Sequence, residues 1–483
     1  MAKRLAILAL MVHVLLLADA KPRGFRATMI RREKTINFTR AARQSSARLS
    51  ILAARLDSAA AGGPSTETPL RADDRGAYDM EISIGTPPQK LSCTPPGTPY
   101  DPTQSSSFSK MPCSDRLCVA LGSQATCSSG GTECDYRYAY GSGDHATQGY
   151  MGTETFTIGS DAAQGVGFGC TTASNGNYGT GSGLVGLGRG PLSLVSQLGV
   201  GAFSYCLVHD TSMASPLLFG SLATFPRGSS NPGPSTIVNL RSITIGSSTT
   251  PGVGANGVVF DSGTTLTYLT EPAYTAAKTA ILSQTSLPRV DDIGGYEACF
   301  QGSDNDISDA VPAMVLHFDG ADMELPVANY FRQVQNGVVC WVVQRSFNRL
   351  SLVGNIMQMN FHIRHDLDQQ LLSFQPANCD SLPRGFRATM IRREKTINFT
   401  QAAQQSYARL SMLAARLDAA TGATSTQTPL RWDGGAYDMV VSIGTLLQKL
   451  TALADTGSDL VWAKCGPCKS CTPQGSPSYD PTK

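Results

Sequence analysis

The segment "PRGFRATMIRREKTINFT", Pro22 to Thr39, recurs unchanged at Pro383 to Thr400. The likeness continues through "SARLSILAARLD" against "YARLSMLAARLD". It resumes at "GAYDMEISIGTPPQKL" (Gly76 to Leu91) against "GAYDMVVSIGTLLQKL" (Gly435 to Leu450). A period this long, present only twice, is not that of a solenoid. The chain reads as a whole precursor followed by the beginning of a second one.

At 483 residues there is room for two or three domains. Charged residues make up only 16%, and the 48 glycines suit many short strands and turns better than long exposed helices. The formal charge of +2 offers no case for nucleic-acid binding. Lys3 and Arg4 precede an apolar run, Leu5 to Leu17, and Ala18-Asp19-Ala20 is a small-x-small cleavage site, which together read as a secretory signal. The run is too short to span a bilayer comfortably, and no other segment is long and apolar enough. A secreted or vacuolar protein without a membrane partner is expected. In that oxidising compartment the 13 cysteines become a disulfide framework.

Along the chain, Arg40 to Leu56 reads as a basic amphipathic helix and Ala59 to Pro69 as a linker. From Tyr78 onward, strands and turns dominate. "QGYMGTETFTIG" (Gln148 to Gly159) and "STIVNLRSITIG" (Ser235 to Gly246) carry strand-like alternation. Pro191 to Leu198 and Glu271 to Thr285 are short helical signals, each with Pro near its start. Phe225 to Pro234 reads as a hinge between two lobes.

Chemistry concentrates in "VVFDSGTTLTYL", Val258 to Leu269. An apolar strand ends there in the carboxylate of Asp261. Gly263 permits a sharp turn, and Ser262 or Thr264 can supply hydroxyls that fix the carboxylate. The same context returns once, as "LTALADTGSDLVW" around Asp455. Two such acids a few ångströms apart share a proton, so one acts as base on a water while the other polarises a peptide carbonyl. Such chemistry needs neither metal nor cofactor.

These motifs resemble those of pepsin-like aspartic proteases, closest to the plant nepenthesin-like branch. The resemblance covers nearly everything after the signal segment. It implies a mostly β, two-lobed fold with a cleft between the lobes, and hydrolysis of peptide bonds at acid pH. Phe260 to Thr265 resembles the second catalytic motif, with Gly263 and Thr264 near substrate. "YRYAYGSGDHATQGYMGTETFTIG" resembles the flap hairpin, with Tyr140 and Gly141 facing substrate. "GLVGLGRGPLSLVSQL" (Gly183 to Leu198) and "SLVGNIMQMNFHIRHD" (Ser351 to Asp366) resemble the apolar-apolar-Gly segments beneath the two catalytic loops. The resemblance further implies the pairs Cys93–Cys170, Cys113–Cys134, Cys118–Cys127, Cys206–Cys379 and Cys299–Cys340.

The first unit departs from this pattern at "QKLSCTPPGTPYDP", Gln89 to Pro102. Against the late copy it lacks the 19 residues Thr451 to Lys469, and with them the first catalytic Asp-Thr-Gly-Ser and the Trp that follows. Asp455 and Gly457 sit only in the late copy. The cysteines of the missing piece, Cys465 and Cys468, would pair with each other in this family, so their loss orphans no partner. The expected organisation is a signal peptide (1–20), a prosegment (21–75), an N-terminal lobe without its own catalytic Asp (76–228) and a C-terminal lobe (229–380). A second prosegment-like repeat (381–432) and the truncated start of a second N-terminal lobe (433–483) follow.

Several other features have plainer readings. Cys465, Cys468 and Cys471 have the spacing of a metal knuckle but no fourth ligand nearby, so disulfide chemistry is expected and no metal. Gly181 to Gly186 matches a dinucleotide-binding spacing but lacks the acidic residue that motif needs. The basic Arg23 to Arg55 run reads as a prosegment that covers an acidic cleft.

Three functional readings follow. The first is an active endopeptidase, with polypeptide substrates, in which the tail replaces Gly76 to Cys93 and sets Asp455 opposite Asp261. The second is a catalytically dead, protease-like peptide binder. The third is a composite gene product that joins one gene to the start of a tandem neighbour. The early copy, nearer in the chain, is expected to outcompete the tail for the lobe. A monomer is expected, with tail swapping between molecules as the alternative.

Overall fold

The computed structural model describes residues 26–31, 78–80, 82–84, 89–90, 101–379 apart from short connections, 438–443, 447–455 and 460–464. The signal segment, the Arg40 to Leu56 helix, the Ala59 to Pro69 linker, most of the Phe225 to Pro234 hinge, the second prosegment-like repeat and the three tail cysteines lie outside these residues.

Described elements are mostly β. A 17-stranded sheet joins the N-terminal half, the tail and the strands Phe361–Asp366 and Leu371–Pro376, while residues 237–353 form one five-stranded and two four-stranded sheets. The two halves meet where Ala202–Cys206 pairs antiparallel with Phe361–Asp366, setting Tyr205 against Ile363. The Cys206–Cys379 disulfide closes this junction.

Both helical signals are helices, and each has a local cause. At Leu194–Leu198 the Ser193 hydroxyl accepts from the Ser196 amide, and Gly199 at φ 59° ends the turn in a conformation that costs glycine little. Ala273–Gln284 buries Ala273, Ala277, Ala280 and Ile281 at helical spacing, and Tyr274 beside them stacks on Trp341 with centroids 5.6 Å apart. The Gly181 to Gly186 motif contributes the buried strand Gly183–Gly186 rather than a phosphate-binding loop. Within the basic leading segment, Arg26–Arg31 is a strand paired antiparallel with Ala214–Phe219, an element that its charge pattern did not announce.

Two expected disulfides exchange partners. Cys113 joins Cys127 and Cys118 joins Cys134, in place of Cys113–Cys134 and Cys118–Cys127. The cause is local: Cys127 and Cys134 lie directly opposite in the register of the Ala125–Cys127 and Cys134–Tyr140 strands, so spacing alone does not choose between them. Cys206–Cys379 and Cys299–Cys340 form as expected. Cys170 is disulfide-bonded; the expected Cys93–Cys170 pair rests on Cys93, which lies outside the described residues.

Candidate active site

Asp261 follows the buried strand Val258–Phe260 and is itself fully buried. Its backbone amide donates to the Val353 carbonyl at 3.1 Å. One carboxylate oxygen accepts the Gly263 amide at 2.9 Å, and the other accepts the Thr264 hydroxyl at 2.5 Å. The turn after the strand thus wraps its own donors around the acid, which fixes the carboxylate plane. Val258–Phe260 runs parallel to Ser351–Val353, with Phe260 against Val353. Asp261 therefore stands beside Gly354.

Gly354 has to be a glycine, because a Cβ there would collide with the Leu266 and Thr265 carbonyls. Asn355 follows and ties down the loop. Its amide donates to the Thr264 carbonyl at 2.6 Å, and its side-chain nitrogen donates to the Ser262 carbonyl at 3.0 Å. Gln358, one turn on, donates to the same Val353 carbonyl that holds the Asp261 amide, at 2.7 Å, and accepts the Tyr205 hydroxyl at 2.6 Å. Tyr205 comes from the strand that joins the two halves. Burial, and then the nearby Asp261 charge, hold its hydroxyl well above the ordinary phenol range, so it stays a donor. The sequence reading missed Tyr205, Asn355 and Gln358. The Asn directly after an apolar-apolar-Gly strand was the only available signal; the Tyr205–Gln358 contact spans 153 positions and leaves no local trace.

His365 lies behind Tyr205 and stacks on Phe203 at 4.6 Å. Burial, and then the Arg189 charge, lower its pKa to about 3; burial, and then Arg364, lower His362 to about 4. Both rings are neutral in the fold yet bind protons near pH 6.5 when the chain is unfolded. Stability is therefore full above about pH 6.5 and falls as pH drops toward 4, by at most about 1.4 kcal/mol per pH unit for each ring. Urea unfolding of His365→Asn at pH 6.5 and 4.5 is expected to show a smaller loss between the two pH values than wild type shows; an unchanged loss contradicts the assignment.

The tail enters the sheet of the N-terminal half. Its strand Leu447–Asp455 runs parallel to Gly183–Gly186, with Leu453 against Leu184, Ala454 against Val185 and Asp455 against Gly186. Residue for residue this matches the other half: Ala454 pairs with Val185 as Phe260 pairs with Val353, and each Asp follows level with the glycine that ends a Leu-Val-Gly segment. Further along the tail, Trp462–Lys464 pairs parallel with the strand Asp161–Asn175, placing Ala463 against Cys170, and antiparallel with Gly183–Gly186. Leu460, Val461, Trp462 and Ala463 are at most 3% exposed. The Gly169 amide donates to the Val461 carbonyl at 2.9 Å, and a Cβ at Gly183 would run into the Trp462 carbonyl.

The early copy is not displaced by this arrangement. Asp438–Ile443 of the tail lies parallel to Ile82–Ile84, pairing Val441, Ser442 and Ile443 with Ile82, Ser83 and Ile84, their own counterparts in the repeat. The expected competition does not arise beyond Leu450. The 19 residues absent from the early copy include those that reach Gly183–Gly186 and Asp161–Asn175.

Of the other expected site residues, Gly263 and Thr264 donate hydrogen bonds to the Asp261 carboxylate. Tyr140 ends the strand Cys134–Tyr140 and pairs with His145 at the tip of an antiparallel hairpin. Gly141 and Gly457 lie outside the described residues. Asp455 is described by its backbone register alone. Among the described residues, no helix is long and apolar enough to cross a membrane.

The chain is similar to several known proteins. The family profile described as "Xylanase inhibitor N-terminal" matches two separate stretches, residues 78–221 and 437–483. The profile described as "Xylanase inhibitor C-terminal" matches residues 237–376. Aspartic proteinase nepenthesin-1 of Nepenthes gracilis is 38% identical over 411 residues, covering 75% of this chain and 92% of the relative. Aspartyl protease family protein 2 of Arabidopsis thaliana is 34% identical, covering 63% of this chain and 71% of the relative. In fold, the chain is similar to basic 7S globulin from soybean, with a TM-score of 0.50 at 17% identity, covering 75% of this chain and all of that one.

Proposed function

Because the chain belongs to the pepsin-like aspartic proteases, in their plant nepenthesin-like branch, we propose that it is an aspartic-type endopeptidase whose dyad is Asp261 and Asp455, the second acid supplied by the C-terminal tail. The observation that carries this reading is the matched register: Asp455 level with Gly186, and Asp261 following the Phe260–Val353 pair. The N-terminal family profile matches the tail as well as the first unit, which supports reading residues 433–483 as the missing opening of the N-terminal lobe.

The substrate is a polypeptide bound across the two loops. The ionised acid takes a proton from a water held between the carboxylates, and the water oxygen attacks the peptide carbonyl carbon. The protonated acid donates to the carbonyl oxygen as the tetrahedral intermediate forms. The intermediate collapses, the C–N bond breaks, the departing nitrogen takes the proton that came from water, and a hydroxyl of the intermediate returns its proton to the other acid as the carbonyl reforms. No bond forms between enzyme and substrate. The Gly263 amide and the Thr264 hydroxyl keep the Asp261 carboxylate oriented through the cycle. Tyr140 and Gly141 close over the substrate from the hairpin, and Thr264 and Gly457 contact its backbone beside the acids.

Residues 21–75 act as the prosegment of this unit. The disulfides suit maturation in the secretory pathway, toward the vacuole or the cell exterior. A second reading, a protease-like peptide binder, rests on one observation: residues 76–379 hold no Asp of their own at the first catalytic position. Digestion of a denatured protein by the purified, acid-processed chain separates the two. New peptide termini that grow with time at acid pH are expected; binding without cleavage contradicts the endopeptidase.

A further inference from the structure

Among the described residues, the tail strands are the ones that pair with Gly183–Gly186. Gly183–Gly186 pairs with two elements, the tail strands Leu447–Asp455 and Trp462–Lys464, and the latter also covers Gly169 to Thr171. The early copy lacks the 19 residues Thr451 to Lys469, and with them the residues of the tail that pair with Gly183–Gly186 and Gly169 to Thr171. The contact surface combines backbone pairing with a short buried run, Leu460 to Ala463, which is the way an added β-strand is recognised: main-chain bonds give affinity and seated side chains give register. The tail strand Asp438–Ile443 begins more than fifty positions along the chain from the last described residue of the C-terminal half, Cys379.

From this we infer that the position beside Gly183–Gly186 is a strand-acceptor site whose ligand is the segment 438–464 of any copy of this chain, its own or another's. Trp462 anchors the segment, and Gly183 is the point of closest backbone approach. A chain cut between residues 401 and 432 therefore keeps its tail as a bound second chain, and a separate copy of the segment can take the tail's place. Strand docking here does not depend on the carboxylate of Asp455, so the site stands or falls apart from the endopeptidase reading.

The test uses the full chain carrying a site-specific protease sequence inserted between residues 401 and 432, with Cys465, Cys468 and Cys471 replaced by serine so that no tail disulfide holds the fragment. After cutting, the tail is expected to co-elute with the body on size exclusion. A labelled synthetic peptide of residues 437–464 in excess is expected to replace it. The W462G peptide is expected to bind at least tenfold more weakly, and the D455N peptide as well as wild type. A tail that elutes alone after cutting, or wild-type and W462G peptides that bind equally, would overturn the proposal. Tight binding of both the wild-type and D455N peptides with no proteolysis from either would uphold the acceptor site and remove the endopeptidase reading alone.

Discussion

Asp261→Asn is expected to lower kcat/KM for peptide cleavage at acid pH by at least about a hundredfold, the range over which a positioned acid or base contributes. Asparagine keeps the shape of the side chain but not its chemistry. Both oxygens of Asp261 accept hydrogen bonds, from the Gly263 amide and the Thr264 hydroxyl. An amide places an NH2 group against one of these donors and takes no proton from water. The surrounding loop is held independently, by Asn355 donating to Ser262 and by the Asp261 amide on Val353, so the fold should survive. Circular dichroism and the unfolding midpoint are expected to stay near wild type while cleavage is lost. Cleavage within tenfold of wild type would remove Asp261 from the mechanism.

Trp462→Ala is expected to cost about 3–5 kcal/mol of stability, the range for truncating a large buried aromatic. Trp462 is 2% exposed, and it stands between Leu460 and Val461 on one side and Ala463 on the other, all buried. Its strand is paired on both edges, with Asp161–Asn175 and with Gly183–Gly186. If the tail were an appendage, truncating one of its residues would be nearly neutral. Denaturant unfolding of the full chain reads the difference. A change under about 1 kcal/mol, ordinary for a surface substitution, contradicts an integral tail.

Much of this arrangement was legible in the residues. The run Val258 to Phe260 is apolar because both faces of its strand are buried, and it stops at Asp261 because the chain turns there; a strand-ending carboxylate followed by Ser-Gly-Thr is readable from one sequence. The two Leu-Val-Gly segments were equally plain, since each is a short buried strand, and a glycine at its edge, Gly183 in one and Gly354 in the other, sits where the backbone passes close to another chain segment. What could not be read was pairing between distant residues. Cys113 and Cys118 had two equivalent partners facing each other across a hairpin, and local spacing does not rank them. Tyr205 and Gln358 meet only because the strand Ala202–Cys206 joins the two halves.

The tail shows the same limit most clearly. Near-identical copies offer one pattern, and a pattern does not say which copy occupies a position. Proximity in the chain favoured the early copy, but the deciding quantity is which copy owns residues able to pair with Gly183–Gly186 and Asp161–Asn175. Only the tail does, and the remainder of its hairpin settles in parallel against its own counterpart at Ile82–Ile84. In-register stacking of like residues is a stable solution for strands, so both copies are retained in one sheet.

Acid proteolysis by Asp455→Asn, measured beside wild type, Asp261→Asn and the double variant, tests the central claim most directly. Residues that act as one unit lose activity non-additively. Asp455→Asn is predicted to fall to the level of Asp261→Asn, with the double variant no lower. Cleavage by Asp455→Asn at the wild-type rate would contradict an active site completed by the tail.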